Sequence, residues 1–165
     1  MSRLLPAVIA DTAAIRRRDP ADILTQDATW IRGRFGRVSR ECVAVVIPAR
    51  DEEHDLPATL LALARSTVSV VPIVVDNGSQ DDTGAVAAHL GARVVSAESG
   101  AKMAATQAGL RHAITNLATK DVLFTDADTL VLPAWAETMR RRLAATARPA
   151  HDPDAGGLLA PGTRG

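Results

Sequence analysis

The sequence predicts an α/β fold, in which helices flank a mainly parallel sheet. Three observations support this class. Short runs rich in valine and isoleucine suit buried strands, stretches with apolar residues at helical spacing follow them, and the two patterns alternate through residues 42–165. Strands and helices that alternate in this way usually form a parallel sheet with right-handed crossovers. A chain of 165 residues is long enough to bury one such core.

Four apolar runs are predicted strands, because each is short, contains β-branched residues and is bounded by turn-forming residues. They lie at residues 43–47, 70–75, 93–96 and 122–125, and residues 157–160 could begin a further strand. The stretches between them carry the apolar spacing of helices, which we predict at residues 56–65, 83–90, 101–117 and 133–145. Pro57 and Pro133 suit the first turn of a helix, and Gly91 suits a C-terminal cap.

Residues 1–41 differ in composition from the domain that follows at residues 42–165. They contain eight arginines and five acidic residues but no lysine, and they sustain no apolar period. We expect a basic leader that is partly ordered, with its arginines in solvent or facing an anionic membrane or a partner protein. Within the leader, Asp19 could cap a short helix that begins at Pro20.

The composition excludes several classes of function. The net charge is zero, so no global attraction to nucleic acid is expected. Cys42 is the single cysteine, which excludes an internal disulfide and a multi-cysteine metal site. No apolar run approaches the roughly 18 residues that span a bilayer, and Pro6 breaks the short apolar N-terminus that could otherwise be a signal peptide. We expect a cytoplasmic protein, with peripheral association at the inner face of the membrane as an open option.

Three of the predicted strands end in acidic, turn-forming clusters. The first leads into PARDEE at residues 48–53, the second into DNGSQDDT at residues 76–83, and the fourth into Asp126-Ala127-Asp128. In open α/β sheets, ligands bind beyond the carboxyl ends of the strands, so these clusters can meet in one crevice. Carboxylates suit Mg²⁺ or Mn²⁺, which often bind through one or two of them and the phosphates of a substrate. Alternatively, Asp128 only turns the chain before Pro133.

The ordered series VVIPARDEE, IVVDNGSQDDT and FTDAD resembles the N-terminal half of family 2 glycosyltransferases, which have a GT-A fold. The resemblance covers residues 42–146. It implies a GT-A-like, Rossmann-type sheet, incomplete at the C-terminus here, in which strand 122–125 could lie centrally. The implied function is metal-dependent transfer of a sugar, with inversion, from a nucleoside-diphosphate donor to an unknown acceptor. A UDP-sugar is the favoured donor, and GDP and dTDP donors stay open.

The resemblance also assigns roles to individual residues. It implies that the nucleoside pocket is lined by residues at the end of the first strand and just after it, namely Pro48, Ala49, Asp51 and Glu52. Asp76 would accept hydrogen bonds from the base, and Ser79 belongs to the turn that follows. Ser79 or Asp82 could instead only cap the next helix.

On the phosphate side of the implied site, Asp126 and Asp128 would hold the divalent ion, and Asp126 would also contact the donor. Lys102 lies where the resembled family has a glycine- and lysine-bearing segment before a helix. Its ammonium could meet the diphosphate together with backbone N–H groups at the start of that helix, or it could simply be solvated.

The general base of the implied reaction is a carboxylate further downstream in the family, and we expect this chain to end before it. The catalytic residue is therefore unknown, with His151, Asp152 and Asp154 as the late titratable candidates. An alternative function is a truncated nucleotide-sugar-binding remnant without turnover. A dinucleotide oxidoreductase or a pyrophosphorylase is disfavoured, because residues 48–53 are acidic where such enzymes need a glycine-rich loop.

Overall fold

The structure is a computed structural model that describes residues 12–35, 39, 41–98, 100–117 and 119–146. Its four strands are β1 (Val43–Ala49), β2 (Val70–Asp76), β3 (Arg93–Ser96) and β4 (Asp121–Phe124). They form one parallel sheet in the order β3-β2-β1-β4. The sheet with its flanking helices confirms the predicted fold class.

The helices of the described residues are α1 (Thr12–Arg16), α2 (Pro20–Asp22), α3 (Ala28–Phe35), α4 (Leu56–Ala64), α5 (Thr83–His89), α6 (Lys102–Asn116) and α7 (Trp135–Thr146). A π-helical turn, Ile23–Asp27, joins α2 to α3. The four helices predicted after residue 42 are α4 to α7. Asp19 caps α2 through its side chain, and Gly91 follows α5 with a φ of +85°, so both predicted caps are confirmed.

The two inner strands, β1 and β2, are buried on both faces of the sheet, as is usual for parallel sheets. Along β1, the side chains of Val43, Val45 and Ile47 lie in one hydrophobic core, and those of Ala44 and Val46 lie in a second core on the opposite face. Residues of α3, α4 and α5 fill the first core, whereas α6 covers the second. The sheet therefore lies between two layers of helices.

Helix α6 packs closely on the sheet at Gly109. A Cβ atom at this position would overlap Cγ1 of Val46 and lie 2.8 Å from Cγ2 of Val75. The absence of a side chain therefore lets the helix backbone approach β1 and β2 at this point. Because α6 begins at Lys102, this contact also governs where Lys102 stands relative to the ends of the strands.

The helices within residues 12–35 pack on the first core. Ile15, Ile23 and Ile31 are fully buried there. The division of the chain into a leader at residues 1–41 and a domain that follows stays a prediction, but the described helices of the leader share the core of the domain.

From the sequence we expected the arginines of this segment to project into solvent. Two of them instead make hydrogen bonds within the protein. Arg34 donates hydrogen bonds to the carbonyls of Ala64, at 2.9 Å, and Ser66, at 3.1 Å. Arg32 donates to the carbonyl of His89 at 2.9 Å. These carbonyls lie at the C-terminal ends of α4 and α5, where unpaired C=O groups attract cations.

The expectation that strand 122–125 lies centrally is not met within the described residues. There β4 pairs with β1 alone and forms an edge of the sheet. A strand of four residues carries no local signal of its neighbours, so its place in the sheet could not be deduced from its own sequence. The predicted strand at 157–160 and the candidates His151, Asp152 and Asp154 lie outside the described residues. Among the described helices, none combines the length and apolar character that crossing a bilayer requires.

Candidate functional site

The register of the sheet places the C-terminal ends of β1, β2 and β4 at the same edge of the sheet, the edge where the strands end. Ala49, the last residue of β1, is paired with Asp76, the last residue of β2. Phe124 ends β4 opposite Val46 of β1. The loops that follow these strands are the three acidic clusters, so their side chains share the edge at which parallel α/β sheets bind ligands.

Asp51 and Asp76 are linked through Ser79. The backbone N–H of Ser79 donates to Oδ1 of Asp76 at 2.9 Å, and its Oγ accepts a hydrogen bond from the N–H of Asp51 at 3.1 Å. Oδ1 of Asp51 accepts a further hydrogen bond from the N–H of Gln80 at 2.7 Å. Asp51 has a φ of +56°, a left-handed conformation that aspartate tolerates better than most residues. These bonds hold the loops after β1 and β2 together.

A second set of hydrogen bonds joins the same two loops. Oδ2 of Asp81 accepts from the N–H of Glu53, and Oε2 of Glu53 accepts from the N–H of Asp82, both at 3.0 Å. Oδ1 of Asp81 accepts from the N–H of Thr83 at 3.0 Å and from its hydroxyl at 2.5 Å. Burial alone would raise the pKa of Asp81, but these hydrogen bonds outweigh it and hold the pKa below its ordinary value. Asp82 makes no capping bond through its side chain.

The buried side chain of Asn77 connects the loop after β2 to the segment before α6. Its Nδ2 donates to the carbonyl of Gly100 at 2.7 Å, and its Oδ1 accepts from the N–H of Gly100 at 3.1 Å. The two bonds give both ends of the amide a partner and fix the chain two residues before Lys102. Gly78 follows with a φ of +72°, a conformation that favours glycine in this turn.

Asp126 and Asp128 stand on either side of a buried alanine. Ala127 is 3% exposed, and its carbonyl accepts a hydrogen bond of 2.7 Å from the buried hydroxyl of Thr59 on α4. Asp126 and Asp128 themselves are exposed. Because the residue between them is anchored in the interior, the loop after β4 presents both carboxylates outward.

The ammonium of Lys102 contacts the carboxylate of Asp126. Nζ lies 2.6 Å from Oδ1, and the two side chains are 66% and 56% exposed. The hydrogen bond with Asp126 raises the pKa of Lys102, and the negative charges of Asp126, Asp128 and Glu52 raise it further. The first residue of α6 thus lies in the electrostatic field of two of the acidic clusters.

Glu52 belongs to the same group of charges. Burial raises the pKa of Glu52, and the charge of Asp128 raises it further, whereas Lys102 lowers it. Carboxylates from the loops after β1 and β4 are therefore close enough to repel each other. A cation among them would relieve that repulsion.

An open pocket of about 250 Å³ lies beside the Lys102–Asp126 pair. Its lining includes Pro48, Lys102, Thr106, Phe124, Asp126 and Thr129. Phe124, one of the few aromatic residues, is 44% exposed and offers an apolar surface there. Thr106 was missed in the sequence, although its position one helical turn after Lys102 could have identified it.

The structure brings the predicted site residues to one edge in two linked groups. Asp51, Asp76 and Ser79 form the first, and Glu52, Lys102, Asp126 and Asp128 form the second. Pro48 lines the pocket, whereas the side chain of Ala49 is buried in the core. The supporting residues Thr59, Asn77 and Asp81 were not singled out in the sequence, because no local pattern marks a side chain that bonds to a distant loop.

The donor set at this edge fits a divalent ion that is shared with a ligand. The described residues contain no group of three or more His, Cys, Asp or Glu side chains arranged to hold a metal ion by themselves. The exposed carboxylates of Asp126 and Asp128 offer the oxygen ligands that Mg²⁺ and Mn²⁺ prefer, and such ions often take their remaining ligands from water and substrate phosphates.

Comparison with known proteins identifies related glycosyltransferases. Residues 44–148 match the family model of glycosyl transferase family 2. Over 54 residues, the chain is 41% identical to the 4,4'-diaponeurosporenoate glycosyltransferase of Staphylococcus haemolyticus. This match covers 33% of this chain and 14% of that protein. Over 90 residues, the chain is 33% identical to the glucosyl-3-phosphoglycerate synthase of Mycolicibacterium paratuberculosis, a match that covers 50% of this chain and 27% of that protein. The chain thus spans less than a third of these two relatives.

A solved structure gives the same result. The crystal structure of glucosyl-3-phosphoglycerate synthase from Mycobacterium tuberculosis, in complex with Mn²⁺ and UDP-glucose, is similar with a TM-score of 0.51 at 26% identity, over 70% of this chain and 43% of that one. The similarity agrees with the parallel α/β sheet and its flanking helices. Because the family match spans more than half of the chain, the protein belongs to glycosyl transferase family 2.

Proposed function

We propose that this chain binds a nucleoside-diphosphate sugar, with a UDP-sugar favoured, and takes part in transfer of the sugar with inversion to an acceptor hydroxyl. The observation that carries the proposal is the group of charges at one edge of the sheet, formed by Glu52, Lys102, Asp126 and Asp128. Carboxylates alone would repel a diphosphate, so this group needs a cation between its acids and the phosphates. Membership of the family supports the class of donor.

Asp126 and Asp128 are the proposed ligands of a Mg²⁺ or Mn²⁺ ion. Both are exposed and flank the anchored Ala127, so both can face the same ligand. When bound, the ion stabilises the negative charge that develops on the departing nucleoside diphosphate. The relative whose structure contains Mn²⁺ and UDP-glucose supports both the ion and the uridine.

The linked loops after β1 and β2 would hold the nucleoside. In this proposal, Asp76 accepts a hydrogen bond from the base through Oδ2, since its Oδ1 is already bonded to Ser79. Gly84 leaves the space that Oδ2 needs, because a Cβ atom there would lie 2.9 Å from it. The residues proposed to line this side of the donor are Pro48, Asp51 and Glu52. Ala49 would take part only through its backbone, because its side chain is buried in the core. The bonds of Asp51 and Ser79 would preorganise the two loops before the nucleotide arrives.

The remaining parts of the proposal concern the acceptor and the location of the protein. The acceptor hydroxyl would attack the sugar in line, and its general base is assigned to no described residue. We propose a cytoplasmic location, where nucleotide sugars occur, with the exposed Arg16 and Arg17 available for peripheral contact with an anionic membrane.

Calorimetry with UDP, GDP and dTDP, each with and without Mn²⁺, tests the binding part of the proposal. We expect UDP to bind at least tenfold more tightly with Mn²⁺, and Asp128→Ala to remove this dependence on the metal. Asp121→Ala is the matched control, because Asp121 begins the same strand at its opposite end. Equal, weak binding of all three nucleotides, unaffected by Mn²⁺, would refute the proposed site.

Hydrolysis of the donor separates transfer from binding. Release of UDP from UDP-glucose without an acceptor should depend on Mn²⁺ and disappear in Asp128→Ala. Metal-dependent binding without any release of UDP would instead favour a nucleotide-sugar-binding protein without turnover.

A further inference from the structure

Lys102 forms an ion pair with Asp126, and the proposed function assigns the carboxylate of Asp126 as a ligand of the metal ion. Nζ lies 2.6 Å from Oδ1, and the two residues are 24 positions apart in sequence. One begins α6 and the other follows β4, so the tertiary structure and not helical spacing forms the pair.

Lys102 also faces more negative charge than a single ion pair provides. Its pKa is raised first by the hydrogen bond with Asp126 and further by the charges of Asp126, Asp128 and Glu52. Without a bound metal, an ammonium at this position offsets part of the repulsion among these carboxylates.

The pair is nevertheless easily exchanged. Both side chains are more than half exposed. An exposed ion pair changes the equilibrium constant of folding by only a few-fold, so little free energy opposes its separation. Lysine carries its charge on a flexible four-carbon stem, which lets the ammonium move to a nearby anion. At the same helix start, Ala101 is the N-cap, and its side chain cannot cap the first N–H groups of α6.

On the basis of the proposed function, we propose that Lys102 is a resident counter-ion of Asp126, which it leaves when a divalent cation and a nucleoside diphosphate bind together. In the absence of nucleotide, Lys102 weakens binding of the divalent cation, because its ammonium competes for Asp126. It strengthens binding of the nucleotide, because the displaced ammonium pairs with the diphosphate. The consequence is that cation and nucleotide each raise the affinity of the other, by an amount that depends on Lys102.

A titration with Mn²⁺ in the absence of nucleotide tests this inference. Electron paramagnetic resonance measures the free ion and so reports how much Mn²⁺ is bound. We expect Lys102→Met to bind Mn²⁺ about fivefold more tightly than the wild type, since it removes both the competitor and a like charge. The chain has two lysines, so Lys120→Met is a matched control that removes the same charge from an exposed position before β4. Lys102→Arg keeps the charge and should bind Mn²⁺ as weakly as the wild type does.

The same titrations with saturating UDP measure the coupling between the two ligands. The factor by which UDP raises the affinity for Mn²⁺ should fall about fivefold in Lys102→Met and stay unchanged in Lys120→Met. Thermal unfolding provides the check on folding, and the variants at these exposed positions should unfold at the temperature of the wild type.

The outcomes distinguish this inference from the proposed function. If the wild type binds Mn²⁺ and UDP together but Lys102→Met binds Mn²⁺ alone no better than Lys120→Met, the resident counter-ion is refuted and the donor site stands. If neither the wild type nor any variant binds Mn²⁺, with or without UDP, the proposed function fails and the inference fails with it.

Discussion

The buried hydroxyl of Thr59 donates a hydrogen bond of 2.7 Å to the carbonyl of Ala127, and so ties the loop after β4 to α4. Thr59→Val keeps the shape of the side chain but leaves this carbonyl unpaired in the interior. We expect the free energy of unfolding, measured by urea denaturation, to fall by about 1–3 kcal/mol. Because Asp126 and Asp128 flank Ala127, we also expect weaker Mn²⁺-dependent binding of UDP.

Thr59→Ser is the control for this prediction, since it retains the hydroxyl. It should lose less stability than Thr59→Val and bind UDP nearly as the wild type does. A Thr59→Val protein that is destabilised but binds UDP normally would show that the anchored Ala127 does not position the two carboxylates.

The close packing of α6 on the sheet depends on the absence of a side chain at Gly109. Gly109→Ala should lower the free energy of unfolding by about 1–3 kcal/mol, because its Cβ would overlap Cγ1 of Val46 and force the helix away from the sheet. Since α6 begins at Lys102, the displacement should also alter binding of UDP. Both effects can be followed by denaturation and calorimetry.

Gly33→Ala is the matched control for Gly109. Gly33 is an interior residue of α3. Apart from its chain neighbours and the backbone of its own helix, no atom lies within 4 Å of a Cβ placed there. This change should stabilise the protein by about 0.5–1 kcal/mol, because alanine favours a helix over glycine. Similar stability of the two variants would contradict the packing argument.

The left-handed backbone of Asp51 makes substitutions there depend on both conformation and hydrogen bonding. Asp51→Ala removes the acceptor that Gln80 uses at 2.7 Å and forces alanine into a φ of +56°. We expect a loss of about 2–4 kcal/mol in the free energy of unfolding, from the lost charged hydrogen bond and the backbone strain together. Asp51→Asn keeps an acceptor oxygen and tolerates this conformation, so its loss should be less than half as large. Equal losses in the two variants would refute this explanation.

The hydrogen bonds to Asp81 predict a dependence of stability on pH. Its folded pKa lies below the ordinary value of 3.8, so the unfolded state takes up the proton first as the pH falls. The stabilisation from ionised Asp81 is therefore complete well above pH 3.8 and is lost as the pH falls through the folded pKa. Asp81→Asn should destabilise the protein at pH 7 by about 1–2 kcal/mol, and the difference from the wild type should shrink towards pH 2.

Asp121→Asn is a control at pH 7, because it removes a carboxylate from the opposite end of the sheet. It should lower the free energy of unfolding less than Asp81→Asn does. A destabilisation by Asp81→Asn that does not change between pH 7 and pH 2 would show that the ionised carboxylate is not what stabilises the two loops.

The parts of the fold that could be predicted are those with local signals. β-branched runs, helical apolar spacing and terminal Pro or Gly residues located β1 to β4 and α4 to α7 to within two residues at each end. The helices α1 and α3 were missed, because Ile15, Ile23 and Ile31 are widely spaced among arginines and a π-helical turn interrupts the period. The burial of these residues follows from their packing in the first core.

The sequence by itself determined the alternation of strands and helices and the acidic clusters at three strand ends. Because parallel strands align their carboxyl ends, this was enough to predict one shared edge. Only the tertiary structure decided which partner each charged side chain takes: Lys102 with Asp126, Asp51 with Gln80, and Asp81 with Glu53. Each pair joins residues 24 to 29 positions apart. Contacts over such distances depend on how helices and loops pack against the sheet, which no local propensity encodes.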